Sequence, residues 1–68
     1  MDNMSVYIYD GPVLEFDKII DQRWHGATRA VSERRARSNL SYQYKKATGR
    51  VAATRISLPG ELKEVSYA

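Results

Sequence analysis

Apolar and polar positions alternate at the start of this chain and then change period. Residues 5–9, Ser-Val-Tyr-Ile-Tyr, alternate β-branched and aromatic side chains, the pattern of a strand. Asp10-Gly11-Pro12 has turn chemistry. Residues 13–20 fit two periods. With period two, Leu14, Phe16 and Ile20 share a face interrupted by Lys18; with the helical period, Val13, Phe16, Ile19 and Ile20 form a stripe. The preceding turn and the β-branched content favour the strand. Asp21-Gln22-Arg23 then reads as a turn into a strand over residues 24–31. That strand sets Trp24, Gly26, Thr28 and Ala30 on one face and His25, Ala27, Arg29 and Val31 on the other.

From residue 32 the period becomes helical. Ser32 suits an N-cap, because its hydroxyl can accept a hydrogen bond from a first-turn N–H that has no partner within the helix. Glu33 places a carboxylate at the positive end of the helix dipole, and Lys45 and Lys46 suit the negative end. Val31 and Ala36 stand at the spacing of a weak hydrophobic staple. Gly49 stands where a left-handed residue ends a helix. At about 100° per residue, Ala36, Leu40, Tyr44 and Ala47 form an apolar seam. Arg34, Arg37, Ser38, Ser41 and Lys45 form a second stripe, and Arg35, Tyr42 and Lys46 a third, next to Asn39.

Residues 50–54 read as a connector and 55–58 as a last strand. A Pro59-Gly60 turn follows, and residues 61–65 extend the strand. The expected order is β-β-β-α-β, an α+β domain with one small antiparallel sheet and the amphipathic helix across one face. The expected core holds Val6, Ile8, Leu14, Phe16, Trp24, Ala30, Leu40, Tyr44, Ile56 and Leu58.

Composition narrows the class. Sixty-eight residues make one small domain, expected over residues 5–66, with residues 1–4 a disordered terminus. Such a chain buries only about 60% of its unfolded surface, so a partner would help its stability. There is no cysteine, which removes disulfides, thiolate metal sites and a cysteine nucleophile together. No apolar run approaches the length of about 18 residues that marks a membrane span, and no basic-then-apolar leader opens the chain. A cytoplasmic protein without membrane attachment is the expectation.

Charge is unevenly spread. Residues 23–55 hold nine Lys and Arg against one acid, Glu33, whereas the other 35 residues hold two bases, Lys18 and Lys63, against seven acids. Two readings of this asymmetry stand open: a cationic surface facing an external anion, or acidic flanks pairing with the basic centre.

Catalysis is hard to build from these residues. His25 is the single histidine and makes neither a metal site nor a triad by itself. The helix serines have no base beside them, and no glycine-rich phosphate loop is present. No catalytic residue, metal or cofactor is expected. Binding is easier to build. Arg34, Arg37 and Lys45, with Ser38 and Ser41 between them, resemble a phosphate-tracking stripe, in which arginines give bidentate contacts and serines neutral donors. Tyr42, between Arg35 and Lys46, is placed to stack on a base or meet a sugar.

Two resemblances arise here. Ser32-Glu33-Arg34-Arg35-Ala36-Arg37 is similar to the strand-to-helix junction of double-stranded-RNA-binding domains, which implies Arg34 and Arg37 as phosphate contacts. The chain has neither that family's N-terminal helix nor its Gly-Pro-x-His loop. The whole chain resembles a group of short uncharacterised proteins carried by phages and conjugative elements of Gram-positive bacteria. That likeness rests on Tyr7-Ile8-Tyr9, Gly11-Pro12-Val13, Phe16-Asp17, Trp24 and Thr28, on Ala30-Val31-Ser32-Glu33, Ala36-Arg37-Ser38-Asn39-Leu40, Tyr42-Gln43 and Lys45-Lys46, and on Ile56-Ser57-Leu58-Pro59-Gly60. It implies an accessory role in a mobile element.

The expectation is therefore a non-enzymatic nucleic-acid-binding module, for DNA or RNA, using Arg34, Arg35, Arg37, Ser38, Ser41, Tyr42, Lys45 and Lys46. The alternative is a protein-interaction or assembly module that docks a partner through its sheet edge or an aromatic patch. Trp24 exposed with Tyr7 or Tyr9 would favour the second. A buried Trp24, with Arg34, Arg37 and Lys45 all pointing into solvent, would favour the first.

Overall fold

The computed structural model describes residues 4–65. The expectation for residues 1–4 thus lies, Met4 apart, outside the described residues. The elements are β1 (Ser5–Glu15), β2 (Lys18–Ala30), α1 (Glu33–Ala47), β3 (Ile56–Ser57) and β4 (Leu62–Val65). They form a small α+β fold, a four-stranded antiparallel sheet with one helix. The order is β-β-α-β-β, where β-β-β-α-β was expected. β1 is central: β2 runs along one edge, and β3 and β4 share the other. β3 pairs with Leu14 and Glu15, and β4 with Val6, Tyr7, Ile8 and Tyr9.

The difference in order has two sources: one turn folds residues 5–30 into a single hairpin, and the stretch expected as one last strand with an extension splits into β3 and β4. Residues 5–30 make two long strands joined at Phe16-Asp17, with Glu15 paired to Lys18 across the loop. Phe16 and Asp17 have φ of 49° and 70°, the doubly left-handed geometry of a two-residue hairpin loop. Asn-Gly is the usual pair there, so the residues that do turn carry little turn chemistry in the sequence. Asp10-Gly11-Pro12 and Asp21-Gln22-Arg23, read as turns, lie inside the strands instead. β1 has 11 residues and β2 has 13, and the two extra residues of β2 are taken up in register shifts between Gly11 and Leu14. Pro12, which has no N–H to give, sits at the first of these shifts and faces no paired residue. Eleven residues at about 3.3 Å each make the hairpin about 36 Å long, close to the 37 Å long axis of the molecule.

The inner face of β1 is the opposite of the expected one. Tyr7, Tyr9 and Val13 are buried, whereas Val6, Ile8 and Leu14 are only half-buried and Phe16 is exposed on the turn. At Tyr9 the hydroxyl finds partners at the inner position. Tyr9 Oη donates to the Pro12 carbonyl at 2.5 Å and accepts from the Gly60 N–H at 3.0 Å. That pair of bonds fastens the 58–61 segment to the register shift in β1. Small residues make the room. A Cβ on Gly26, the cross-strand partner of Tyr9, would fall 2.5 Å from the Trp24 ring.

The core is one cluster of Tyr9, Val13, Leu40, Tyr44 and Leu58, with Ile20, Trp24, Ile56 and Leu62 packed on it. A smaller cluster of Tyr7, Ala30 and Ala36 continues it. Trp24 meets Tyr44 edge-on at 5.3 Å between centroids and Tyr9 at 6.4 Å. Of the expected core, Ala30, Leu40, Tyr44 and Leu58 are buried, and Trp24 and Ile56 pack against it. Among the described residues, no helix is long and apolar enough to cross a membrane.

Candidate nucleic-acid interface

α1 begins and ends on local chemistry. Ser32 is extended (φ −156°, ψ 161°), and its Oγ accepts from the Arg35 N–H at 3.2 Å, closing the N-cap. At the other end the Thr48 hydroxyl donates to the Tyr44 carbonyl at 2.7 Å, and Gly49, at φ 73°, turns the chain out of the helix. Ala36, Leu40 and Tyr44 are buried against the sheet. Ala47, expected to complete this seam, is exposed, because the helix ends there.

The expected basic stripe divides in two. Arg37 donates from Nη1 to the Leu58 carbonyl and from Nη2 to Glu33 at 3.3 Å. Ser41 Oγ donates to the Ile56 carbonyl at 3.4 Å and Lys45 Nζ to the Ala52 carbonyl at 2.9 Å. These three side chains tie the helix to the segment that returns along it from Arg50 to Leu58, so they do not point together into solvent. The reason is topological: β3 and β4 lie on the far edge of β1, and the chain runs beside α1 to reach them. On the opposite flank, Gln43 Nε2 donates to the Ala27 carbonyl of β2 at 3.3 Å.

Arg34, Arg35, Ser38, Tyr42 and Lys46 remain exposed. None of the cations Arg34, Arg35 and Lys46 has an ion pair or a side-chain hydrogen bond among the described residues. Arg34, Arg35 and Ser38 border a surface depression with Ser32, and Arg35 also borders one with Met4, Arg29 and Asn39. Asn39, which had no assigned role, is exposed on this face beside Arg35. Its signal was its angular position, which its polarity alone did not single out.

Both readings of the charge asymmetry find a place. Arg23 meets Asp10 at 2.7 Å and Arg50 meets Glu15 at 3.0 Å, so two bases of the centre pair with acids of the N-terminal flank. The Arg23 hydrogen bonds hold the Asp10 carboxyl below its ordinary value. Burial pushes the Tyr44 and Tyr7 hydroxyls up, and Arg50 also lies over the Tyr44 ring at 5.6 Å. The cations on the exposed face of α1 are left out of this neutralisation. Among the described residues, no three His, Cys, Asp or Glu side chains gather as a metal-binding group.

No protein family, curated protein or solved structure compared with the chain matches it.

Proposed function

We propose that this protein is a non-enzymatic nucleic-acid-binding module that uses the exposed face of α1. Arg34, Arg35 and Lys46 contact phosphates, Ser38 adds a neutral donor, and Tyr42 meets a base or sugar. Arg37, Ser41 and Lys45 hold the helix in place and contribute their charge from its side. One observation carries the reading: these three cations share a helix face with no acid of α1 on it and have no partner among the described residues. Like charges left unpaired on one face are relieved by an external polyanion. The resemblance to proteins of phages and conjugative elements would make such a module an accessory of a mobile element.

The test is a titration of labelled nucleic acids at two salt concentrations. Binding should weaken steeply with salt, and each lost phosphate contact should lower the log–log slope by about 0.7–0.9. The triple variant Arg34→Gln/Arg35→Gln/Lys46→Gln should lose most binding and keep its thermal midpoint. A wild-type chain that ignores every nucleic acid at low ionic strength would overturn the proposal.

A second reading, a protein-docking module, has one observation in its favour. The outer edge of β2 has no neighbouring strand among the described residues, and an extended partner segment can add to such an edge. The aromatic patch offers it no support, since Tyr7 and Tyr9 are buried and Trp24 is packed on the core.

A further inference from the structure

We infer that the partner is B-form duplex DNA, with α1 lying in its major groove; this rests on the nucleic-acid reading above. The argument begins with what stands highest on the helix. The buried seam centres on Leu40, so the crest is the direction opposite Leu40. At 100° per residue, Ser38 and Tyr42 straddle that crest within about 20° on either side, and Arg34, Arg35, Asn39, Lys45 and Lys46 complete an arc of about 140°, with Asn39 at its margin and Lys45 bound to the Ala52 carbonyl. No acidic residue of α1 falls on this arc, because Glu33 lies on the core side and pairs with Arg37.

Along the axis, charge and neutral polarity are sorted. Cations stand at the two ends of the face, Arg34 and Arg35 in the first turn and Lys46 in the last, with Ser38, Asn39 and Tyr42 between them. Arg35 and Lys46 are separated by about 16 Å of helix. A groove about 12 Å wide, bordered on each side by phosphates, can thus receive the neutral centre while both ends reach a backbone. Phosphates would fix the register, and the central side chains would face base edges, where an amide such as Asn39 can pair with adenine.

The flanks allow the approach. Arg37, Ser41 and Lys45 are drawn sideways onto backbone carbonyls, and Gln43 is drawn down to β2. Long side chains that would otherwise spread beside the crest are folded back along the sheet. The two competing ligands fit less well. The major groove of A-form RNA is too deep and narrow for a helix to read. Single strands need a row of stacking aromatics. Here Tyr42 is the one aromatic on the arc: Tyr7, Tyr9 and Tyr44 are buried, and Phe16 belongs to the hairpin turn, not to α1.

The test uses the full chain and a set of DNA duplexes of different sequence, the RNA duplex matching one of them and one separated DNA strand, compared with one another at each of several salt concentrations. The DNA duplex should bind at least about tenfold more tightly than either competitor. The major-groove dye methyl green should be displaced from the duplex, and the minor-groove ligand netropsin retained. Asn39→Ala and Tyr42→Ala should alter the ranking of duplex sequences while leaving the salt slope unchanged. Lys46→Gln should lower that slope by about 0.9 for every sequence alike. Equal or tighter binding to RNA or to the single strand, or displacement of netropsin alone, would overturn this inference and leave the nucleic-acid reading standing. Absence of binding to all three would overturn both.

Discussion

Arg34 and Arg37 stand three residues apart on one helix, carry the same group and have different surroundings. Arg34 faces solvent without a partner among the described residues, whereas Arg37 holds Glu33 and the carbonyl of Leu58. The same division separates Lys46 from Lys45, which holds the Ala52 carbonyl. The crest of α1 and its flank both carry cations and differ in what passes beside them. An irregular return segment leaves backbone carbonyls without strand partners, and the nearest cations satisfy them. A count of charges along a helix therefore overstates the surface available to an external anion.

The division depends first on which side of the helix is buried. Leu40 is fully buried, and Leu40→Ala should cost about 2–5 kcal/mol, enough to unfold a domain of this size. Thermal or urea melts would read it; an unmoved midpoint would mean that crest and seam have been exchanged. Next comes the anchoring of the return segment. Tyr9→Phe leaves the Pro12 carbonyl and Gly60 N–H without the shared hydroxyl and should cost about 1–3 kcal/mol.

A direct comparison of flank and crest follows. Arg37→Gln should lower stability by about 1 kcal/mol, since the side chain is about one-third exposed, whereas Arg34→Gln should stay within about 0.5 kcal/mol. Equal melting shifts for the two variants would erase the distinction. The smallest effect is on pH dependence. The folded-state value of Asp10 is lowered by Arg23, so this pair's contribution is present above the ordinary aspartate value. It is lost as the pH falls through the lowered one. A carboxyl NMR titration should place the Asp10 midpoint below that of an ordinary aspartate, and Arg23→Gln should return it there.

How far all this is legible in the sequence depends on range. α1 was read at its observed limits because its signals are local: the Ser32 cap, the 3.6-residue seam and Gly49. The hairpin was misread because its determinants are distant. One of the bonds that hold Tyr9 on the inner face comes from the Gly60 N–H, 51 residues away. Gly26 matters through the Trp24 ring that lies over it. Turn residues such as Asp10-Gly11-Pro12 permit a turn without requiring one, and here a register shift absorbs them. For the candidate site, Arg34, Arg35, Ser38, Tyr42 and Lys46 were placed by angle alone. Arg37, Ser41 and Lys45 needed the path of residues 50–58, which no periodicity encodes.

The loop at Phe16-Asp17 bears on how the chain folds. Both residues occupy left-handed backbone that Phe in particular disfavours. A hairpin usually closes outward from its turn, but this turn offers little help to a chain searching for its partner strand. The long β1–β2 ladder should then form late, after α1 and the Tyr9–Leu40–Tyr44 contacts have brought its other end together. Phe16→Asn/Asp17→Gly relieves the constraint. In stopped-flow refolding it should speed the folding limb more than it slows unfolding, moving the start of assembly from the helix and its core contacts to the hairpin turn.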